Sequence, residues 1–430
     1  MNIVHLTPGT GNFHCGSCLR DNLLVKELRR RGHEVVMVPL YLPLVTDGDK
    51  ASPDAPVFLG GINLYLQEKA PLFRYAPRWL ERLFDSEKLL LKAAARANMT
   101  TAKDLGQMTL GSFRGAEGRQ GKEWRKLVDW IGAQDPKPDL VSLSNGLLIG
   151  IAKTVSNDLG IPVISSLQGE DGFLDSLPEP YLTQAWDAFR QESTHVAKFI
   201  AVSEFYAGVM RQRLQVPSDK VGVVLNGIDA SQFAPPESLP ARPTIGYLAR
   251  LHYAKGLHTL VDAFILLKAR GTVPDLQLRV AGSKIAGDDT YIADQIAKLE
   301  SVGLDGDFEF RTNIDMAEKV AFLQSLSVLS VPATYGEAFG LFVLEAHACG
   351  VPVVQPDHGA FPEVLAHTHG GVLCQPDDPA SLADALENLL LDEAKRAALG
   401  RAGRDAVLQK FSVANMAAAF EEVCESVVIR

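Results

Sequence analysis

Short apolar runs of strand length alternate with amphipathic stretches along most of this chain. The clearest unit runs from Ser327 to Gln355. Val328–Val331 is an apolar run and Pro332–Gly336 a turn cluster. Leu341, Leu344, Glu345 and Ala348 then fall at helical spacing, before Gly350 and Pro352 stop the helix. Val351–Val354 is a second apolar run. Strand, turn, helix, Gly-Pro, strand predicts a βαβ unit with parallel strands. The chain opens the same way, with a strand at 2–6, a glycine-bearing loop from Thr7 to Cys18, a helix marked by Leu19, Leu23, Leu24 and Leu28, and a strand at Val35–Val38. Further strands are predicted at Asp139–Leu143, Pro162–Leu167, Phe199–Val202, Val221–Leu225, Thr244–Leu248, Leu276–Val280, Phe308–Arg311 and Gly371–Cys374. A helix is predicted from Leu147 to Leu159, and helices fill 380–409 and the C-terminal stretch to Val428.

At 430 residues the chain exceeds what one hydrophobic core usually serves, so two domains are expected. Pro235, Pro236, Pro240 and Pro243 mark the linker. The reading is an α/β chain with domains at 1–235 and 242–411, the first carrying a helical insertion at about 60–126, and a terminal helix at 412–430. A formal net charge of −10 argues against nucleic acid as a bulk partner. No apolar run reaches the length of a membrane span. The N-terminus enters its first strand with no basic-then-apolar leader, and five cysteines do not read as a disulfide framework, so the cytoplasm is the expected compartment.

The candidate chemistry sits in the Ser327–Gln355 unit. In parallel sheets ligands bind beyond the carboxyl ends of the strands. Glu337 falls there, Glu345 follows in the helix, and Phe339-Gly340-Leu341 marks the helix start. The first N–H groups of a helix lack internal partners and favour an anion. The unit therefore offers two carboxylates for hydroxyls and an amide nest for phosphate, which suits a phosphorylated sugar. Against this stands a plainer reading, in which Glu337 complements the helix dipole and Glu345 is a solvated acid. Glu345 lies among Leu341, Leu344 and Ala348 on a face that should pack, where a carboxylate needs partners.

Glu337-x7-Glu345, within G-E-A-F-G-L-F-V-L-E-A-H-A-C-G-V-P-V-V, resembles the signature of retaining glycosyltransferases of the GT-B fold, family 4. The resemblance implies two facing Rossmann-like domains, with the last helix returning to the first. It implies that Glu337 holds donor-sugar hydroxyls, Glu345 the ribose, and the Phe339, Gly340 and Leu341 stretch the diphosphate. Ala249-Arg250-Leu251-His252-Tyr253-Ala254-Lys255-Gly256 is similar to the family's G-R-L-x3-K-G, with Ala249 in place of Gly. It makes Arg250 and Lys255 the cations that stabilise a leaving diphosphate, with no metal and no cofactor. In the opening loop Gly16 takes the phosphate-approach position, where many relatives have Gly-Gly and this chain has Cys15-Gly16. Asn226-Gly227-Ile228-Asp229 and His358-Gly359-Ala360-Phe361-Pro362-Glu363 resemble further family turns, and Gln168 stands where relatives often carry His. The donor would be a nucleotide-diphosphate sugar. Its base, its sugar and the acceptor are not written in any motif.

Other readings stay open. A GT-B epimerase or a non-catalytic sugar-binding protein could share the scaffold. A phosphorylase would need a pyridoxal phosphate lysine, and an NAD oxidoreductase a glycine fingerprint that is missing. Asp47-Gly48-Asp49 and Asp305-Gly306-Asp307 are D-x-D triplets that read better as loop acids. Cys15-Gly16-Ser17-Cys18 is a CxxC without the second pair a zinc site needs, and reads as small residues lining a tight loop. Between Glu68 and Lys126 stand 13 Lys and Arg against 7 Asp and Glu, so this segment is basic within an acidic chain. It is either a set of amphipathic helices with solvated faces or a cationic surface. With Phe73, Tyr75, Trp79 and Phe84 beside Arg74, Arg78 and Arg82, such a surface would attract an anionic or lipid-linked acceptor and give peripheral membrane contact.

Overall fold

In the computed structural model the described residues are 1–9, 16–41, 51–52, 56, 58–59, 102–118, 121–238 and 240–428. The triplet at 47–49, Cys15 and the arginine and aromatic residues of 73–84 lie outside them. The chain divides into two compact units, Met1–Leu225 together with Met416–Arg430, and Asn226–Asn415. The division falls ahead of the proline-rich stretch. Two contacts place the Asn226–Asp229 turn in the second unit. The Ile228 N–H donates to the Phe411 carbonyl at 2.9 Å, and a Cβ on Gly227 would stand 2.3 Å from the Ser412 carbonyl oxygen.

The first unit is built on six parallel strands, β1 (Asn2–Thr7), β2 (Glu34–Pro39), β3 (Leu140–Leu143), β4 (Val163–Leu167), β5 (Lys198–Ala201) and β6 (Val221–Val223), in the order β2-β1-β3-β4-β5-β6. β3 and β4 are buried along their whole length, which is why they read as nearly continuous apolar runs. The helices are α1 (Gly16–Arg30), α2 (Ala102–Phe113), α3 (Gly121–Gly132), α4 (Ala152–Asp158), α5 (Glu170–Leu174), α6 (Tyr181–Ser193) and α7 (Glu204–Leu214). Ser203 caps α7 by accepting from the Tyr206 N–H at 3.0 Å. The single helix expected from Leu147 instead opens as a 3₁₀ segment, Gly146–Ile151. Packing explains it: a Cβ on Gly150 would lie 1.9 Å from the Ser112 carbonyl oxygen, so this backbone is pressed against α2.

The second unit repeats the scheme with β7 (Thr244–Leu248), β8 (Gln277–Gly282), β9 (Phe308–Thr312), β10 (Val328–Leu329), β11 (Val353–Pro356) and β12 (Gly371–Cys374), all parallel, ordered β12-β11-β10-β7-β8-β9. Its helices are α8 (Leu257–Arg270), α9 (Asp289–Glu300), α10 (Met316–Gln324), α11 (Leu341–Ala348), α12 (Phe361–Thr368), α13 (Pro379–Leu391) and α14 (Glu393–Lys410). β10 is shorter than the apolar run predicts. The Ser330 N–H still donates to the Gly246 carbonyl at 2.9 Å, but Pro332 has no N–H with which to continue. The chain order reverses between β7 and β10. That is the topological switch point, and in such sheets ligands bind beyond the carboxyl ends of the strands there.

The last helix is α15 (Val413–Val428), whose residues from Met416 onward belong to the first unit. There Glu421 pairs with Arg31 at 2.5 Å and with His33 Nε2 at 2.7 Å, while Phe420 and Cys424 are fully buried. Among the described residues no helix is long and apolar enough to cross a membrane.

Candidate active site

Two loops leave the switch point of the second unit, one after β7 and one after β10. They are locked together by backbone. The Thr334 N–H donates to the Ala254 carbonyl at 2.9 Å. Gly256 holds φ 72°, and a Cβ there would lie 1.7 Å from the Pro332 carbonyl oxygen, so only glycine fits. Inside the first loop the Tyr247 hydroxyl lies 3.3 Å from both the Arg250 and the Lys255 carbonyl oxygens and braces the turn. A third loop, after β11, supports the second. The Ala360 N–H donates to the Glu337 carbonyl at 2.9 Å, His358 Nε2 meets the Ala333 carbonyl at 2.8 Å, and Gly359 lies too close to the Glu337 backbone for any Cβ.

This bracing brings Lys255 onto Glu337. Lys255 Nζ donates to Glu337 Oε2 at 2.5 Å and to the Tyr335 hydroxyl oxygen at 2.5 Å, and that hydroxyl donates to the same Oε2 at 3.0 Å. The ammonium also lies 5.0 Å from the centre of the Tyr335 ring. Burial opposes the charge on Lys255, but the Glu337 carboxylate and Tyr335 outweigh it and hold the ammonium above the ordinary lysine range. Burial, then the charge of Glu337, raises the Tyr335 phenol too, so it stays protonated and can donate.

The other expected residues of this unit are held by partners of their own. Gly340 takes φ 85° at the start of α11, and Val343 is the first amide to bond back, to the Gly340 carbonyl at 2.9 Å. The Leu341 and Phe342 amides ahead of it are the ones an anion can use. Phe339 is buried and packs edge-on against Phe411. Glu345 is not the solvated acid of the plainer reading: Lys319 Nζ donates to its Oε1 at 2.9 Å. The Arg250 guanidinium goes to Asp288, at 3.3 Å for both Nε and Nη2. Arg250 is still half exposed, at 46%, whereas Asp288 is buried at 4%. The acid therefore anchors the guanidinium and leaves part of it open to a ligand.

Sequence reasoning missed Tyr335, Asp288 and Lys319. Tyr335 alone left a signal, as an aromatic residue inside the turn cluster two positions before Glu337. Among the described residues no group of three or more His, Cys, Asp or Glu could hold a metal ion. Asp307 of the second D-x-D triplet is engaged by Lys268 at 2.7 Å, as a loop acid should be.

In the first unit Gly16 is the first residue of α1. Cys18, from the CxxC, is buried beside Thr7, its Sγ 3.5 Å from the threonine hydroxyl. At the carboxyl end of β4, Gln168 donates from Nε2 to the Ser144 carbonyl at 2.6 Å. The adjacent Glu170 is buried and takes N–H donors from Gly146 at 2.9 Å, Gln168 at 2.9 Å and Gly169 at 3.1 Å, and the Tyr206 hydroxyl at 2.9 Å. Burial raises its pKa against those donors, which favour the ionised form.

Comparison with known proteins follows the same division. The family model "Glycosyl transferases group 1" matches residues 230–406, and "Glycosyltransferase Family 4" matches residues 106–232. Among curated relatives, glycogen synthase of Mycobacterium tuberculosis is 32% identical over 206 residues, 47% of this chain and 48% of the relative. Phosphatidyl-myo-inositol mannosyltransferase of Mycolicibacterium smegmatis is 32% identical over 203 residues, 46% of this chain and 49% of the relative. A D-inositol 3-phosphate glycosyltransferase of Arthrobacter is 30% identical over 193 residues, 43% of this chain and 45% of the relative. The matched stretches span about half the length of these relatives. The fold is shared with Anabaena HepE, solved with UDP and glucose, at TM-score 0.70 and 17% identity over 99% of this chain and 100% of that one. It is shared too with sucrose-phosphate synthase of Thermosynechococcus elongatus, at TM-score 0.71 and 18% identity over 100% and 99%. With two family models running end to end over 106–406 and two doubly wound parallel sheets, the chain belongs to the GT-B glycosyltransferases, in the group 1 and family 4 lineage.

Proposed function

We propose that this chain transfers a sugar from a nucleoside diphosphate sugar to an acceptor hydroxyl, with retention at the anomeric carbon and without a metal. The observation that carries the reading is the Lys255–Glu337 pair at the β7/β10 switch point, close in sequence to the α11 amides. Hydroxyl-binding carboxylate, phosphate-binding cation and helix N-terminus are the three groups a sugar diphosphate needs. In the reaction the bond from the anomeric carbon to the diphosphate oxygen breaks and a bond to the acceptor oxygen forms on the same face. The acceptor proton passes to an oxygen of the leaving diphosphate. Lys255, Arg250 and the Leu341 amide take up the charge that develops on the leaving group. Glu337 positions the sugar and Glu345 the ribose.

HepE was solved with UDP and with UDP-glucose, so UDP-sugars are the first donors to try, followed by GDP- and ADP-sugars. Two curated relatives are named for inositol phosphate and phosphatidylinositol acceptors. Those names support the anionic-acceptor and membrane-contact reading of the basic segment at 68–126. The test is a donor screen read by mass spectrometry, with product configuration assigned by NMR. At least one nucleotide sugar should be consumed, with retention, equally well in EDTA. Consumption of none overturns the reading. Loss in EDTA with rescue by Mn²⁺ overturns its metal-free form.

A further inference from the structure

We infer that Tyr335 is a positioning residue, whose hydroxyl keeps the Glu337 carboxylate oriented for the sugar when Lys255 turns to the diphosphate. The inference rests on the function proposed above and goes beyond it.

The geometry is a closed triangle. Both side-chain contacts to the Glu337 carboxylate fall on Oε2, from Lys255 Nζ at 2.5 Å and the Tyr335 hydroxyl at 3.0 Å. Oε1 takes no partner among the described residues and is the oxygen left for a ligand hydroxyl. Lys255 has three N–H donors, and two are spent on Oε2 and the Tyr335 oxygen. A diphosphate carries more negative charge than one carboxylate, so it draws the ammonium away from Glu337. An ion pair alone would then release the carboxylate to swing about its own side-chain torsions.

The Tyr335 hydroxyl prevents this. A phenol has one proton to give, and with Lys255 donating to its oxygen that proton can go only to Oε2. Its bond to Glu337 is a contact separate from the ion pair, made by a donor that a diphosphate does not draw away. The Tyr335 ring is half-buried and lies beside Lys255 Nζ, 5.0 Å from its centre, so the hydroxyl sits on a ring that is itself held. One hydroxyl thus touches both the phosphate-binding cation and the sugar-binding acid, and lets occupancy of one be felt at the other.

A double-mutant cycle tests this on the full chain, using the nucleotide sugar that the wild type consumes. Tyr335→Phe removes the oxygen and keeps the ring, and its thermal unfolding midpoint reports whether the fold is kept. Tyr335→Phe should lower kcat/KM for donor consumption by about 10-fold, while the Kd for the nucleoside diphosphate changes less than about 2-fold. In a Glu337→Ala background the same substitution should change kcat/KM by less than about 2-fold, because the group through which Tyr335 acts is gone. An equal loss in both backgrounds, an equal loss of nucleoside diphosphate affinity, or no loss at all overturns the inference. If Tyr335→Phe unfolds, Tyr335→His, which keeps a donor, must retain more activity than Tyr335→Leu for the inference to stand. A wild type that neither binds nor consumes any nucleotide sugar overturns the proposed function and this inference with it. Turnover that is indifferent to Tyr335→Phe overturns the inference alone.

Discussion

Each unit carries a carboxylate at the carboxyl ends of its parallel strands, and the two are held in opposite ways. Glu170 is 3% exposed and takes its hydrogen bonds from three backbone amides and one buried tyrosine. Glu337 has a side chain 13% exposed, and one of its oxygens is met by a lysine and a tyrosine. Backbone amides cannot leave their carboxylate without undoing the turns that present them. Side-chain partners can be drawn away by a ligand. Glu170 is thus a staple between the ends of β3 and β4, whereas Glu337 is an acid kept ready by groups that can be redirected.

Exchanging the roles should give the largest effects. Glu337→Gln should leave the unfolding midpoint nearly unchanged and lower transfer by about 10²-fold or more, since contacts that position the sugar act mainly in the transition state. Glu170→Gln should do the reverse, costing about 2–4 kcal/mol of stability because an NH2 donor replaces one of the two acceptor oxygens and faces buried N–H groups, with kcat/KM per folded molecule within about 5-fold of wild type. Denaturant melts and kinetics on both variants check the pair. Matching losses of stability would erase the distinction.

The cations come next. Lys255→Ala should remove roughly 2–4 kcal/mol of transition-state stabilisation. Arg250→Ala should lose less, because Asp288 and solvent already share its guanidinium. The ratio of kcat/KM values reads this directly, and a larger loss at Arg250 would shift the phosphate site away from the Lys255–Glu337 pair.

The last effect appears only in acid and belongs to α11 itself. His347 is fully buried, and burial lowers its pKa to about 4. In the unfolded chain it titrates near 6.5, so below that value the unfolded state gains a proton the folded state refuses. The stability it contributes is complete above about 6.5 and is lost as pH falls toward about 4, by on the order of 3 kcal/mol. Unfolding free energies of wild type and His347→Gln should diverge in slope within that window. Parallel slopes would place the acid sensitivity elsewhere.

Much of this was legible in the chain. The Ser327–Gln355 pattern foretold strand, turn, helix and strand. Gly256 and Gly359 announced turns, and both prove to be places where backbone meets backbone. What stayed hidden was pairing across long separations. Nothing in the pattern at Lys319 says that it will meet Glu345, and Asp288 ends a 3₁₀ turn distant in sequence from Arg250. Such contacts are set by how loops stack at a sheet's switch point, which local periodicity does not encode. Tyr335 was hidden differently: in the turn cluster it read as loop, because an aromatic residue in a turn carries no period. Glu170 was overlooked beside Gln168, since a buried acid satisfied by amides leaves no motif.

Calorimetric titration of the nucleoside diphosphate and of its sugar conjugate, into wild type, Lys255→Ala and Glu337→Gln, tests the central claim most directly. The account predicts that Lys255→Ala weakens both ligands alike, by about 10-fold or more, while Glu337→Gln leaves the diphosphate unchanged and removes only the extra affinity due to the sugar. Undiminished binding of both ligands by both variants would contradict it.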